Sequence, residues 1–263
     1  MCDKKNKIVV FDLDETLGQF EELGIFCDAI ENYNKRKLNF DEFYTIMDTF
    51  PEFIRPNIIK ILLYLKNKKQ KGDCNKVMIY TNNQGPKEWA QNIKKYFEKK
   101  LRYNLFDQII AAYKVNGQIT EPGRTSHDKS VNDLFNCGGL PNNTKVCFLD
   151  DVYHPLMEDK AVYYINVKPY TNSIAFKEMG NRYYNRNSNT ISDKDKFFKI
   201  ISNQMNKYNY KVQKKSVEEN NDDISISKDI VYHLHNFFKL HKKSKTRKNK
   251  MKKRKNKNAT RKN

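Results

Sequence analysis

The chain lacks a long apolar segment, and it uses cysteine sparingly. Its longest apolar run, at 58–65, is far shorter than the roughly 20 residues that a membrane-spanning helix needs. The start has no apolar stretch followed by a small-residue cleavage site, so we expect no secretory signal. The five cysteines form no C-x-x-C pair, which argues against a disulfide scaffold and favours a reducing compartment. We therefore expect an intracellular protein, nuclear or cytoplasmic, that has no membrane partner.

Acidic and aromatic residues are both missing from the stretch 242–263, which contains 13 lysines and arginines. The formal net charge of the whole chain is +19, and the rest of the sequence accounts for only +6 of it. A segment with so few apolar residues cannot form a core, so we expect a disordered basic tail. Such a tail can bind nucleic acid or another polyanion, act as a nuclear localisation signal, or simply stay solvated. Without aromatic rings it offers no base stacking.

Five short apolar runs alternate with helical patterns over the first 170 residues. The runs are continuous rather than alternating in polarity, which is typical of strands covered by helices on both faces. Strands that alternate with helices indicate a parallel sheet. The sequence therefore predicts an α/β fold, a Rossmann-like three-layer sandwich with a five-stranded parallel sheet. The predicted strands cover 7–12, 76–81, 106–113, 144–151 and 161–167, and the helices between them cover 55–69, 85–101 and 126–139.

The composition changes after about residue 185, where the sequence becomes polar and rich in turn-forming residues. Two amphipathic patterns, at 196–208 and 226–240, predict helices that dock on the core or on a partner. The acidic stretch VEENNDD between them is typical of a charged linker. We therefore divide the chain into a core domain, a helical extension and the basic tail, at 1–185, 186–241 and 242–263.

Polar side chains follow three of the predicted strands, at the point where each strand ends. Because ligands of parallel α/β sheets bind at the carboxyl ends of the strands, we expect these side chains to converge. Carboxylates that converge repel one another unless a cation lies between them, and oxygen ligands suit Mg²⁺. The sequence thus predicts a magnesium site. The residues concerned are Asp12 and Asp14 after the first strand, Thr81 and Asn82 after the second, and Asp150 and Asp151 after the fourth.

Lys129 is the best candidate for a cation beside this site, although Lys114 and Arg124 lie close to it in sequence. A helix capped by Ser126 would place Lys129 in its first turn, where the macrodipole disfavours a positive charge. An anionic substrate at that helix start would reverse the preference. The position therefore favours a role for Lys129 in binding an anion.

Four motifs in this order resemble those of the haloacid dehalogenase (HAD) superfamily: FDLDETL, IYTNN, a lysine at Lys129, and CFLDD. The resemblance covers roughly residues 7–170, the full predicted core. It implies a phosphatase of this superfamily that works through an aspartyl-phosphate. The interval between Asp14 and the helix predicted from residue 55 leaves only about 40 residues for an insert, which favours short helices and a flap over a large cap. We therefore expect the capless type.

The resemblance also implies a role for each motif residue. Asp12 would be the nucleophile, and Asp14 the general acid and then the general base. Thr81, Asn82 and Lys129 would bind the phosphoryl group.

The implied metal ligands come from the first and fourth motifs. They are the Asp12 carboxylate, the Asp14 backbone carbonyl and an acid of the fourth motif. Asp151 is the first choice for that acid. Asp150 would then either support the ligands without contacting the metal or pair with Lys129.

The substrate is less well defined by the sequence than the reaction. DLDETL resembles the Fcp/Scp branch, the phosphatases of the RNA polymerase II C-terminal domain, which implies a phosphoserine or phosphothreonine protein as substrate. YTNNQG is similar to the TNQ-x-G of polynucleotide 3′-phosphatases and histidinol-phosphate phosphatases. The fourth motif is Asp-Asp rather than the Asp-Asn of many small members. A nucleic-acid 3′-phosphatase, and a catalytically silent module that binds nucleic acid or a partner through its tail, therefore remain as alternatives.

Overall fold

The computed structural model describes residues 6–208, 212 and 214–239. It has an α/β fold whose central sheet contains five strands, all parallel, in the order β3-β2-β1-β6-β7, and a separate antiparallel hairpin. The predicted α/β class with a five-stranded parallel sheet is therefore confirmed. The strands are β1 (Lys7–Phe11), β2 (Lys76–Tyr80), β3 (Gln108–Ile110), β4 (Lys114–Val115), β5 (Gln118–Ile119), β6 (Lys145–Asp150) and β7 (Val162–Asn166).

Both faces of the sheet are buried, which explains the continuous apolar runs. Successive residues of β1 point to opposite sides, so Val9 and Phe11 join one apolar cluster while Ile8 and Val10 join the other. Seven helices contribute to the first cluster, and α5 packs on the second face through Leu134. The helices are α1 (Glu21–Asn34), α2 (Phe40–Thr49), α3 (Ile58–Gln70), α4 (Lys87–Leu101), α5 (Val131–Gly138), α6 (Phe176–Asn187), α7 (Lys194–Asn206) and α8 (Val217–Lys239).

The insert after β1 consists of the short helices α1 and α2. An antiparallel bridge between Gly18 and Ile54 joins its two ends. Helix α2 begins with a capping box, in which Asn39 accepts from the backbone of Glu42 and the Glu42 side chain accepts from the backbone of Asn39. Helix α1 packs on α7, and α2 packs on α4 and α6. The insert thus lies against the body of the domain.

Helix α5 begins later than the sequence predicts. Its N-cap is Ser130, whose side chain accepts from the backbone N–H of Asp133 at 3.1 Å. The Ser126 hydroxyl instead accepts from Asp128 N at 3.1 Å within a local turn. Lys129 therefore precedes the helix, and the prediction that it lies in the first helical turn is wrong.

Helix α8 begins earlier than predicted, so the stretch 217–223 is not a linker. Ser216 and Glu219 form a reciprocal capping pair, with Glu219 N donating to the Ser216 hydroxyl and Ser216 N donating to the Glu219 carboxylate. The apolar side of α8, with Ile230, Leu234 and Phe237, joins the first cluster. Helix α7 joins it as well, through Phe197 and other side chains. The predicted tail at 242–263 lies outside the described residues.

The carboxyl end of α8 lies at the edge of the sheet where the strands begin. Lys7, at the start of β1, donates to the carbonyls of Phe237 and Phe238 at 2.8 and 3.2 Å. This is the edge opposite to the polar residues that follow the strands. In the described part of the chain, every helix is too short or too polar to cross a bilayer.

Candidate metal centre at the carboxyl edge of the sheet

Three carboxylates meet where the neighbouring strands β1 and β6 end. Asp12 N donates to Leu149 O at 2.8 Å, which continues the ladder and places Asp12 beside Asp150. Asp12, Asp150 and Asp151, which we call the acid cluster, each offer an oxygen within 4.8 Å of the others. Asp12 and Asp150 are 7% and 1% exposed, and Asp151 is half-buried. The predicted convergence of these aspartates is confirmed.

Lys129 reaches the acid cluster from the loop that precedes α5. Its Nζ donates to Asp12 Oδ1 and to Asp150 Oδ2, the latter at 2.7 Å, while its side chain is 2% exposed. The rings of Tyr80 and Phe148 lie beneath the ammonium group, 5.6 and 6.0 Å from it. Burial opposes the charge of Lys129, but the two carboxylates outweigh burial and raise its pKa. The lysine is therefore held in its charged form between two acids.

One lysine does not balance three carboxylates. Burial, together with the charge of Asp150, raises the pKa of Asp12 to about 7 although Lys129 lowers it. Burial and the charge of Asp150 also raise the pKa of Asp151, against the hydrogen bond from Thr16. Burial would raise the pKa of Asp150 too, but hydrogen bonds from His154 and Lys129 outweigh it and lower that pKa. The surplus of negative charge and the oxygen donors fit a divalent cation.

The two aspartates of the fourth motif have different partners. Asp150 accepts from Lys129 and, through Oδ1, from Val152 N at 2.9 Å, and His154 Nε2 lies 3.4 Å from its Oδ2. Asp151 Oδ1 accepts from the Thr16 hydroxyl at 2.8 Å. Asp150 is thus engaged by protein donors, whereas Asp151 is the more accessible of the two for a metal ion.

The Asp14 carboxylate is not part of the acid cluster. Asp14 Oδ2 accepts from Asn83 Nδ2 at 2.7 Å, and the backbone carbonyl accepts from Thr16 N at 2.7 Å. Burial raises the pKa of Asp14, and the hydrogen bond from Asn83 only partly offsets it. Glu15 then turns the chain with a positive φ of 56°. Asp14 therefore lies beside the cluster as a carboxyl that retains its proton more readily than an exposed aspartate does.

Thr81 and Asn82 follow β2, the neighbour of β1, and Thr81 is 2% exposed. The Thr81 hydroxyl accepts from Asn83 N at 3.0 Å, which leaves its own proton to donate. Asn82 Oδ1 is buried and has no hydrogen-bond partner among the described residues. The Thr81 carbonyl accepts from Arg124 Nη1 at 3.3 Å. These polar groups stand at the edge that carries the acid cluster, since Asn83 links them to Asp14.

Sequence reasoning missed several residues that hold the site together. Arg55 is 1% exposed, and its guanidinium donates to the carbonyls of Thr16 at 2.6 Å, Glu15 at 2.6 Å and Lys168 at 2.9 Å. In the sequence Arg55 precedes Pro56, and this position indicates only the start of a helix. Asn83 follows Thr81 and Asn82 at the end of the second predicted strand, but the sequence assigns no role to its side chain, which binds Asp14. His154 was also missed, and its spacing of four residues from Asp150 was the available signal.

No protein-family model matches this chain, and no curated protein matches it either.

Proposed function

We propose that this chain is a Mg²⁺-dependent phosphatase of the HAD type, which hydrolyses phosphate monoesters through an aspartyl-phosphate at Asp12. The observation that carries the proposal is the position of Lys129. A buried ammonium group lies between Asp12 and Asp150, with Asp151 within the same cluster. This combination serves phosphoryl transfer, which needs positioning and charge neutralisation more than covalent chemistry.

In the proposed reaction an Asp12 oxygen attacks phosphorus, and the bond from phosphorus to the leaving oxygen breaks. Lys129 neutralises charge on the carboxylate and on the incoming phosphoryl oxygens. Asp14 gives its proton to the leaving oxygen, for which its raised pKa is suited. Asp14 then takes a proton from the water that attacks the aspartyl-phosphate, which restores Asp12 and releases phosphate.

The phosphoryl oxygens would be bound by the Thr81 hydroxyl and the Asn82 backbone N–H. The Thr81 hydroxyl accepts from Asn83 N and donates to no described residue, so its proton can be given to a phosphoryl oxygen. Asn83 also holds the Asp14 carboxyl through its side-chain amide. The turn 81–83 would therefore position the phosphoryl group and the proton donor together.

Asp12, Asp151 and the backbone carbonyl of Asp14 are the proposed ligands of Mg²⁺. Asp150, engaged by Lys129 and Val152, would orient Lys129 instead. When bound, Mg²⁺ would supply positive charge that offsets repulsion between the nucleophile and the phosphoryl oxygens. The packing of α1 on α7, and of α2 on α4 and α6, supports the capless type.

The test is hydrolysis of p-nitrophenyl phosphate by the full chain, with Mg²⁺ and with EDTA. We expect activity that EDTA removes and that Asp12→Asn lowers at least about a thousandfold. Asp229→Asn, an exposed position on α8, is the matched control and should behave as the unaltered chain. Activity that survives Asp12→Asn would rule out the covalent mechanism.

A phosphoserine or phosphothreonine protein is the proposed substrate, and the two alternatives are outcomes of a second comparison. A phosphopeptide and an oligonucleotide with a 3′-phosphate are offered to the full chain at low and at high salt. Preference for the oligonucleotide that salt abolishes would indicate a nucleic-acid 3′-phosphatase delivered by the basic stretch 242–263. Absence of turnover on a broad panel of phosphate esters with Mg²⁺ would indicate a binding module.

A further inference from the structure

Arg124 is a buried cation to which the proposed reaction gives no role. It is 3% exposed, and its guanidinium carbon lies 4.9 Å from the centroid of the Tyr80 ring. Its Nε is buried and has no hydrogen-bond partner among the described residues. Burial of a charge is costly unless the charged group is well paired. A guanidinium that is buried with one nitrogen unsatisfied therefore indicates a specific role for the contacts that it does make.

The two Nη atoms of Arg124 connect three segments of the chain. Nη1 donates to Ala111 O, after β3, at 2.8 Å and to Thr81 O, after β2, at 3.3 Å. Nη2 donates to His127 O at 2.9 Å and lies 3.5 Å from Asp128 O. All four acceptors are backbone carbonyls. The planar fork of a guanidinium fixes several acceptors relative to one another, so Arg124 joins the ends of two strands to the loop before α5.

This loop carries Lys129, whose backbone is not held by a helix. Helix α5 is capped at Ser130, so Lys129 precedes its first turn. The carboxylates of the acid cluster hold the ammonium group, but the backbone of Lys129 follows directly on the carbonyls that Arg124 binds. The same guanidinium contacts the carbonyl of Thr81. The spacing between Lys129 and Thr81 therefore depends on Arg124.

We propose that Arg124 is a positioning residue, which sets the spacing between Lys129 and Thr81 and thereby the affinity of the site for a phosphoryl group. The inference rests on the proposed function, because Lys129 and Thr81 are phosphate-binding groups of that function. None of the four carbonyls that Arg124 contacts belongs to a proposed metal ligand. Arg124 should therefore affect the phosphoryl group without affecting the metal ion.

Arg55 provides the contrast on the metal side of the site. It is also a buried arginine that binds backbone carbonyls, among them that of Thr16 at 2.6 Å. The Thr16 hydroxyl donates to Asp151, a proposed ligand of Mg²⁺. The two arginines are thus matched in burial and in the type of acceptor, but they hold different parts of the site.

The test measures two affinities of the full chain by isothermal titration calorimetry, one for Mg²⁺ alone and one for inorganic phosphate at saturating Mg²⁺. Arg124→Lys should weaken phosphate binding at least about tenfold and leave Mg²⁺ binding no weaker than in the unaltered chain. It should also lower kcat/KM for p-nitrophenyl phosphate about a hundredfold. Arg55→Lys should show the reverse pattern of affinities. Arg102→Lys, at an exposed position after α4, is the control and should change neither.

Thr125→Val supplies the comparison if Arg124→Lys does not fold, as judged by circular dichroism. The hydroxyl of the exposed Thr125 donates to the Asp133 carboxylate at 3.0 Å and anchors the same loop to α5. Its loss should weaken phosphate binding by a smaller factor and leave Mg²⁺ binding unchanged.

Two results would overturn this inference alone. One is a variant, Arg124→Lys or Thr125→Val in its place, that binds phosphate as tightly as the unaltered chain. The other is a variant that loses affinity for phosphate and for Mg²⁺ equally, as general loosening of the fold would produce. An unaltered chain that binds inorganic phosphate but releases none from any phosphate ester would count against the proposed function alone. An unaltered chain that binds no phosphate would overturn both.

Discussion

Lys129 Nζ lies 2.7 Å from Asp150 Oδ2, and the side chains of the two residues are only 2% and 1% exposed. Lys129 comes from the loop before α5 and Asp150 from the end of β6, so the pair joins two parts of the site that the chain does not hold together by itself. Asp12 shares the same ammonium group. Removing one member of a buried ion pair leaves an uncompensated charge, which costs far more than removal of an exposed pair.

Replacement of this lysine should therefore destabilise the fold as well as abolish activity. We expect Lys129→Met to lower the free energy of unfolding by about 3–5 kcal/mol, because Asp12 and Asp150 lose their shared cation. Urea denaturation monitored by circular dichroism measures this. Lys99→Met, which breaks an exposed pair with Asp41, is the control and should cost less than about 1 kcal/mol. Equal losses for the two variants would contradict a structural role for the buried pair.

The two aspartates of the fourth motif should differ in their effect on metal affinity. Asp151→Ala removes an oxygen ligand and should weaken Mg²⁺ binding at least about tenfold, measured by isothermal titration calorimetry. Asp151→Asn retains an oxygen that can ligate and can accept from Thr16, so it should bind Mg²⁺ more tightly than Asp151→Ala does. Unchanged affinity in Asp151→Ala would remove Asp151 from the ligand set and leave that role to Asp150.

Arg55 should act as a positioning residue for the turn that carries Thr16. Its three carbonyl partners require a planar fork of donors, which a lysine cannot reproduce. We expect Arg55→Lys to lower the free energy of unfolding by about 3 kcal/mol and to weaken Mg²⁺ binding, since Thr16 orients Asp151. Thermal unfolding and calorimetry measure the two effects. Arg36→Lys, at an exposed pair with Glu42, is the control and should leave the free energy of unfolding nearly unchanged. If Arg55→Lys were as stable as the unaltered chain, a single ammonium group would be enough to hold the three carbonyls, and the planar fork of Arg55 would not be needed.

The raised pKa of Glu22 should make the stability of the fold depend on pH. Glu22 is 3% exposed and lies in the first turn of α1. Burial raises its pKa from 4.5 to about 7, although the Ile174 backbone N–H donates to it. Between these two values the folded chain binds more protons than the unfolded chain, so stability falls as pH rises. Glu22→Gln cannot ionise. Its gain in the free energy of unfolding over the unaltered chain should grow from near zero around pH 4.5 to its full size above pH 7.

Glu42→Gln provides a control of opposite sign for Glu22→Gln. The hydrogen bond from Arg36 lowers the pKa of Glu42, so its ionised form stabilises the fold at neutral pH. Glu42→Gln should be less stable than the unaltered chain at neutral pH, and this difference should disappear as pH falls. A difference for Glu22→Gln that stays constant across the same range would contradict the raised pKa. Urea denaturation at each pH supplies both measurements.

Local sequence signals predicted the strands well and the helix starts less well. The sequence predicts all five strands of the sheet, because a short continuous apolar run between two helical patterns is typical of a buried strand. The predicted third strand was too long, since the chain leaves the sheet after Ile110. The sequence pattern predicts too late a start for α8, because an acidic polar stretch is typical of a linker as well as of a first helical turn. Ser216 and Glu219, three residues apart, were the capping signal that indicated the true start.

The sequence by itself determined that Asp12, Asp150 and Asp151 meet, because residues that follow neighbouring parallel strands share one edge of the sheet. It also determined that the rest of the core is apolar enough to bury that sheet. Only the tertiary structure decided that Lys129 lies between Asp12 and Asp150, that Asn83 holds Asp14, and that Arg55 supports the turn at Thr16. These contacts form between loops that are far apart in the sequence. A side chain that binds a distant carbonyl or carboxylate produces no periodic pattern from which the contact could be predicted.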